Sequence, residues 1–144
     1  RKLPANGGRA VFLFFAEIDD FVNPHEDDTE LQPFVTALRD VKAQLQDGTM
    51  WLMQNAMSNF DNAGAASHDY LDLFGITALT YMWTLMAKAA LAAKKNGGAG
   101  DPYYDTKLAT GRYFLARSLP DAAAHLAKLK SGADTVMALS AEAF

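Results

Sequence analysis

Residues Leu73–Ala87 read LFGITALTYMWTLMA and carry no charge; Asp72 bounds the run on one side and Lys88 on the other. Apolar residues recur at Leu71, Phe74, Ala78, Leu85, Ala89 and Ala92, and a second row runs Gly75, Leu79, Met82, Met86. Two adjacent rows at three-to-four spacing predict a helix, over Tyr70–Lys95, that is apolar over most of its circumference and needs neighbours on several sides. Thr77, Tyr81, Thr84 and Lys88 form the polar remainder, a narrow stripe facing either water or a polar seam. A membrane span is the rival reading. At 1.5 Å per residue the uncharged run reaches roughly 22 Å, short of the ~30 Å hydrocarbon core. Its three threonines weaken the rival further, so the run reads as the core helix of a bundle.

The rest of the chain fits helices around that centre. Its 144 residues suit one domain, and half of them are hydrophobic, enough for a sizeable core. Alanine is abundant and β-branched residues are few, which favours helix over sheet. Pro4–Gly8 reads as a linker. A first helix follows over Gly8–Asn23, with Val11, Phe14, Phe15, Ile18, Phe21 and Val22 on one face; Asn23-Pro24 stops it. Thr29 and Gln32 have the spacing of a capping box for a second helix, Glu30–Ser58. The row Phe34, Leu38, Val41, Leu45, Gly48, Leu52 holds its register through Asp47-Gly48, so one long helix is preferred to two short ones broken there. Asn59–Ser67 reads as a connection, with Ser67 or an earlier Asn capping the central helix. After the breaker at residues 96–100, Asp101-Pro102 starts a fourth helix, which kinks or briefly breaks at Pro120 and again at Ser131-Gly132. Its row continues through Ala123, Leu126, Leu129, Ala133, Val136 and Ser140. The predicted fold is all-α: an up-and-down four-helix bundle over residues 8–144 with its last helix kinked at Pro120, preceded by a linker over residues 1–7.

Charge is uneven. Residues 1–87 hold 12 acids against 5 bases, a balance of −7; residues 88–144 hold 5 acids against 8 bases, a balance of +3. Lys88, Lys94, Lys95, Lys107, Arg112, Arg117, Lys128 and Lys130 lie spread along helices with no accompanying aromatic-basic motif, so no nucleic-acid surface is assigned. The absence of cysteine excludes disulfides, thiolate metal sites and a cysteine nucleophile, and allows a reducing, cytoplasmic setting.

Chemistry-bearing patterns are sparse. His25, His68 and His125 stand apart, without the Glu-x-x-His or His-x-x-x-His spacing of a metal bundle. His25-Glu26-Asp27-Asp28 reads as a solvated loop, because adjacent residues cannot all point at one ion. Asp69 with Asp72, and Asp101 with Asp105, read as caps and solvated carboxylates rather than acid–base pairs. The dense set Tyr103, Tyr104, Asp105, Lys107, Thr110, Arg112 and Tyr113 reads as inter-helix contacts. Gly97-Gly98-Ala99-Gly100 precedes a helix but lacks the strand and lysine of a phosphate loop. A small-ligand site between the helices would need a real cavity. No catalytic, cofactor-binding or metal-binding role is assigned to any residue.

Two stretches resemble a known family. Tyr70–Gly75 followed by Met82-Trp83 and Met86–Leu91, and Tyr104–Phe114 followed by Leu119-Pro120 and Ser131–Asp134, are similar to the C-terminal domain of large bacterial acyl-CoA dehydrogenases, notably the methylthiopropionyl-CoA dehydrogenase branch. The likeness covers roughly residues 8–144 and is strongest from Tyr70. Arg1-Lys2-Leu3-Pro4 resembles the exit from that family's catalytic helical domain. The resemblance implies a parent flavoenzyme that uses FAD to oxidise acyl-CoA to 2,3-enoyl-CoA in fatty acid metabolism, with its catalytic glutamate and flavin core upstream of Arg1. The chain would then pack on the catalytic core or a subunit interface, with a homo-oligomer expected and no nucleic acid or membrane span. A free-standing helical interaction module is the alternative. Under the family reading, the isolated chain folds, exposes one apolar patch and tends to self-associate.

Overall fold

Three capping side chains set the main helix starts in a computed structural model that describes Leu3 and residues 5–143. Arg1, Lys2 and Pro4, assigned above to a linker, lie outside the described residues. Helix α1 spans Arg9–Val22 and follows a short 3-10 turn, Ala5–Gly8. Helix α2 spans Gln32–Ser58 as one unbroken helix through Gly48. The turn leading into it is capped by Asp28, not Thr29: the Asp28 carboxylate accepts from the backbone N–H of Glu30 at 3.1 Å and of Leu31 at 3.2 Å, and Leu31, at the N-cap position of α2 itself, adds no side-chain bond. Helix α3 spans Phe60–Ala93. It starts ten residues before the predicted Tyr70, because Asn59 adopts an extended conformation and its side chain accepts from the Asp61 N–H at 3.0 Å. The segment read as a connection is therefore the first two turns of α3. The chain unwinds through a π turn, Lys94–Gly98, and restarts where Asp101 caps α4, Pro102–Arg117. Helix α5 is Asp121–Lys130.

α4 and α5 are two halves of one arm, bent by 34° near residues 118–120, as the proline predicts. The described residues contain no strand, and the architecture is the all-α bundle expected. The predicted register beyond Lys130 does not continue. Gly132 takes a left-handed φ of 69°, and the Ala133 N–H donates to the Asn62 side chain at 2.9 Å, which turns the chain onto the start of α3. Val136 is left exposed.

α2 and α3 form the central pair. α1 packs on α2, and the α4–α5 arm packs on α3 and α2. The core joins Ile18 and Val22 of α1, Phe34, Leu38, Val41 and Leu45 of α2, Leu73 of α3, Leu108 of α4 and Leu129 of α5. α1 reaches α3 through aromatic rings: Phe14 stacks on Phe74 at 5.2 Å, and Tyr81 meets Phe14 and Phe21 edge-on. Lys42, only 9% exposed, is held by both oxygens of Asp19 at 2.5 and 2.6 Å, locking α2 to α1.

Close packing explains two helical glycines. A Cβ on Gly48 would stand 3.4 Å from Leu73, Leu126 and Leu129, so α5 lies directly over that point of α2. A Cβ on Gly111 would stand 2.8 Å from the Phe34 ring and 3.3 Å from Trp83. Gly111→Ala is expected to lower folding stability by about 1–3 kcal/mol despite its better helix propensity, because overpacking outweighs propensity here; a urea-unfolding midpoint unchanged or raised would contradict it.

Tyr70 supplies a pH test. Burial pushes its phenol above the ordinary 10.0, while its 2.9 Å hydrogen bond with Thr49 pulls the other way. Folded Tyr70 thus keeps a proton that the unfolded chain has already released. The stability it contributes is intact below about pH 10 and falls as the pH climbs through the raised value. Thermal melts across that range should show a steeper alkaline loss for the wild-type chain than for Tyr70→Phe.

Candidate functional site: the outer face of the longest helix

The groups that sequence inspection singles out for chemistry are mostly occupied by structure. His25 Nδ1 bonds the Phe21 carbonyl at 2.7 Å and its ring stacks on Phe21. Asp28 is a cap. Asp101 caps α4, and Asp105 is paired with Lys94. Lys95 pairs with Glu30 and Lys130 with Asp47, so part of the C-terminal excess of bases is neutralised by acids of α2 and the loop before it. Lys88 sits over the Phe21 ring at 5.3 Å. Among the described residues no group of three His, Cys, Asp or Glu is arranged to hold a metal.

Three readings need correction. His125 is not isolated, and Asp69 is not a solvated carboxylate. His125 Nδ1 lies 2.8 Å from Asp69 Oδ1, with Asp72 at 3.9 Å, and both members of the close pair are largely buried between α5 and α3. Fifty-six residues separate them, so no local spacing could have shown the pair. The α4 set is not chiefly an inter-helix cluster either. Tyr103, Arg112 and Tyr113 are exposed, with Lys107 5.5 Å over the Tyr103 ring.

The feature that stands out lies on α3. Its polar stripe faces inward: Thr77, Thr80 and Thr84 are wholly buried, and Tyr81 donates to Glu17 at 3.1 Å. Each threonine hydroxyl donates at 2.8 Å to the carbonyl four residues back, which satisfies it inside the helix. The row Gly75, Leu79, Met82, Met86 therefore points outward, along with Phe60, Gly64, Leu71 and Ala89. Phe60 is 83% exposed, Leu71 68%, Leu79 51% and Met82 47%. On a 3.6-residue turn these positions share an arc about 100° wide running roughly 50 Å along α3. No charged side chain stands on that arc from Leu71 to Ala93. The five large side chains expose roughly 600 Å², at the top of the range for the largest apolar patch on a monomer.

At its start the stripe opens into a groove of about 340 Å³ lined by Phe60, Asp61, Gly64, Ala65, Ala133, Val136 and Met137. A second groove of about 230 Å³ lies between α1 and α3, lined by Leu3, Ala10, Val11, Tyr70 and Phe74. Neither fits a flavin. Both are open and apolar; among the described residues Asp61 and Tyr70 are their only polar side chains, and none of these offers a cation for a pyrophosphate. The segment Phe60–Gly98 is long and apolar enough to cross a membrane by length and composition alone, with 33% of the window buried in its own bundle. Its apolar character records two faces, one packed and one bare.

The sequence matches the family model described as acetyl-CoA dehydrogenase C-terminal like over residues 14–140. The chain belongs to this acyl-CoA dehydrogenase C-terminal family. A search of curated proteins gave no match.

A polar change on the bare face should leave folding intact. Leu79→Lys is expected to shift stability by less than about 0.5 kcal/mol, since it breaks no core contact, while reducing binding of an apolar dye such as ANS. A cooperative loss of fold would show that Leu79 belongs to the core instead.

Proposed function

We propose that this chain is the non-catalytic C-terminal domain of an FAD-dependent acyl-CoA dehydrogenase, whose parent oxidises acyl-CoA to 2,3-enoyl-CoA, and that it acts by packing. The carrying observation is the bare apolar face of α3 on a chain that matches the family over residues 14–140. A face of that length, uncharged from Leu71 to Ala93, suits a permanent contact: burying it removes roughly 600 Å² of apolar surface from water, worth about 15 kcal/mol before the costs of association are taken off. In this reading the flavin and the catalytic carboxylate belong to the upstream core, and the linker over residues 1–7 leads from it. The bundle contributes oligomerisation or the shape of the site's edge.

A free-standing helical interaction module is the second reading, and the same bare face supports it. The coding sequence upstream of Arg1 separates the two. An in-frame acyl-CoA dehydrogenase core ending in a catalytic glutamate is the expected result; a start codon directly before Arg1 would overturn the domain reading.

A further inference from the structure

We infer that the outer face of α3 pairs with the same face of a second copy of this chain, the two helices running antiparallel. The inference deepens the packing role proposed above and names its partner.

The first observation is an unexplained pair of glycines. Gly64 and Gly75 lie inside α3, where glycine costs about 1 kcal/mol relative to alanine. Neither carries a left-handed φ, and a Cβ added to either meets nothing within 4 Å. Gly48 and Gly111 are explained by neighbours in the same chain; Gly64 and Gly75 face open space on the apolar stripe. Missing side chains at these points let another backbone come close.

The second observation is the order of residues along the stripe. Every eleven residues a large side chain is followed by two further positions on the same face: Phe60, Gly64, Ser67; then Leu71, Gly75, Ala78; then Met82, Met86, Ala89. An eleven-residue repeat keeps a face aligned along a nearly straight helix, so a straight helix of similar length can follow it. α3 itself, 34 residues long, is such a helix.

Turning one copy end for end about a point between Gly75 and Ala78 makes the face complementary to itself. Gly75 then meets Ala78 at the centre, and Leu71 lies beside Met82. Gly64 faces Ala89, and Phe60 faces Ala93, so large side chains at the ends meet small ones. The small end of each α3 enters the groove lined by Phe60, Gly64, Val136 and Met137 on the other copy. With Val136 and Met137 added, each copy offers roughly 800 Å², the share one partner buries in a standard-size stable interface. In the antiparallel sense Asp61, at the start of one α3, lies near residue 92 of the other, toward its basic end, whereas a parallel pairing would set the two acidic starts together.

Sedimentation velocity on the whole 144-residue chain tests this. The wild-type chain, 15.6 kDa as a monomer, should sediment as a dimer at micromolar concentration. Gly75→Glu should raise the dimer dissociation constant at least a hundredfold while its urea midpoint stays level or rises, because the new side chain enters open space in the monomer. The chain has no cysteine, so register can be read by mixing Leu71→Cys with Met82→Cys under oxidising conditions. A cross-linked heterodimer is expected, well above what Leu71→Cys gives alone. A wild-type chain that stays monomeric up to about 100 µM overturns the inference; so does a Gly75→Glu chain that still dimerises, or a monomer that instead cosediments with lipid vesicles. None of these outcomes touches the upstream coding sequence, so the second-copy inference and the domain reading fail separately.

Discussion

The hydroxyls of Thr77, Thr80 and Thr84 lie buried on the inner face of α3, each bonded to a carbonyl of its own helix one turn back. Burying an unbonded hydroxyl costs a few kcal/mol, so this local satisfaction is what permits a polar row in a bundle core. Threonine is also short. Thr84 comes within 3.5 Å of the Phe34 carbonyl, so the axis of α2 approaches α3 closely there. Once that row faces inward, the bulky row of Leu71, Leu79 and Met82 is turned to the outside. The orientation of one helix thus sets both the core and the exposed surface.

The other elements follow from that central pair. Helices α4 and α5 reach the central pair where glycine leaves room: α4 at its own Gly111, under Phe34 of α2 and Trp83 of α3, and α5 at Gly48 of α2, under Leu126 and Leu129. Long-range polar links then fix each arm in rotation. Asp19 holds Lys42 between α1 and α2, Asp69 holds His125 between α3 and α5, and Asn62 ties down the backbone beyond α5. These links join residues far apart in the chain, and Lys42 and the His125–Asp69 pair are largely withdrawn from water, unlike a surface ion pair.

Membership of the acyl-CoA dehydrogenase C-terminal family gives this geometry a setting. A catalytic site needs converging groups; a docking domain needs a stable scaffold and one unsatisfied face. The bundle has its own core, and the arc on α3, uncharged from Leu71 to Ala93, gives way to Asp61 and His68 toward its start and is bordered by Lys88. That pattern belongs to contact surfaces rather than to scattered exposed hydrophobics.

Much of the fold was legible in the residues themselves. The unbroken register through Gly48, the cap at Asp101-Pro102 and the bend at Pro120 are local properties, set by spacing and backbone stereochemistry within a few residues. The likeness to the family was legible too, from Tyr70 onward. An Asn cap for α3 was legible as an alternative to Ser67, but its position at Asn59 was not, because polar and small residues suit a helix whose outer side is not packed as well as they suit a loop. The His125–Asp69 pair was invisible because only tertiary packing brings α5 over α3. The side of α3 that is buried was the largest thing left undecided. A helix apolar on two faces satisfies the hydrophobic effect about equally either way round. Sequence alone therefore determined that this helix would be central and would need neighbours on several sides; which face it leaves bare was decided in three dimensions, where the threonines, each bonded to its own backbone, lie inside and the leucine and methionine row lies outside.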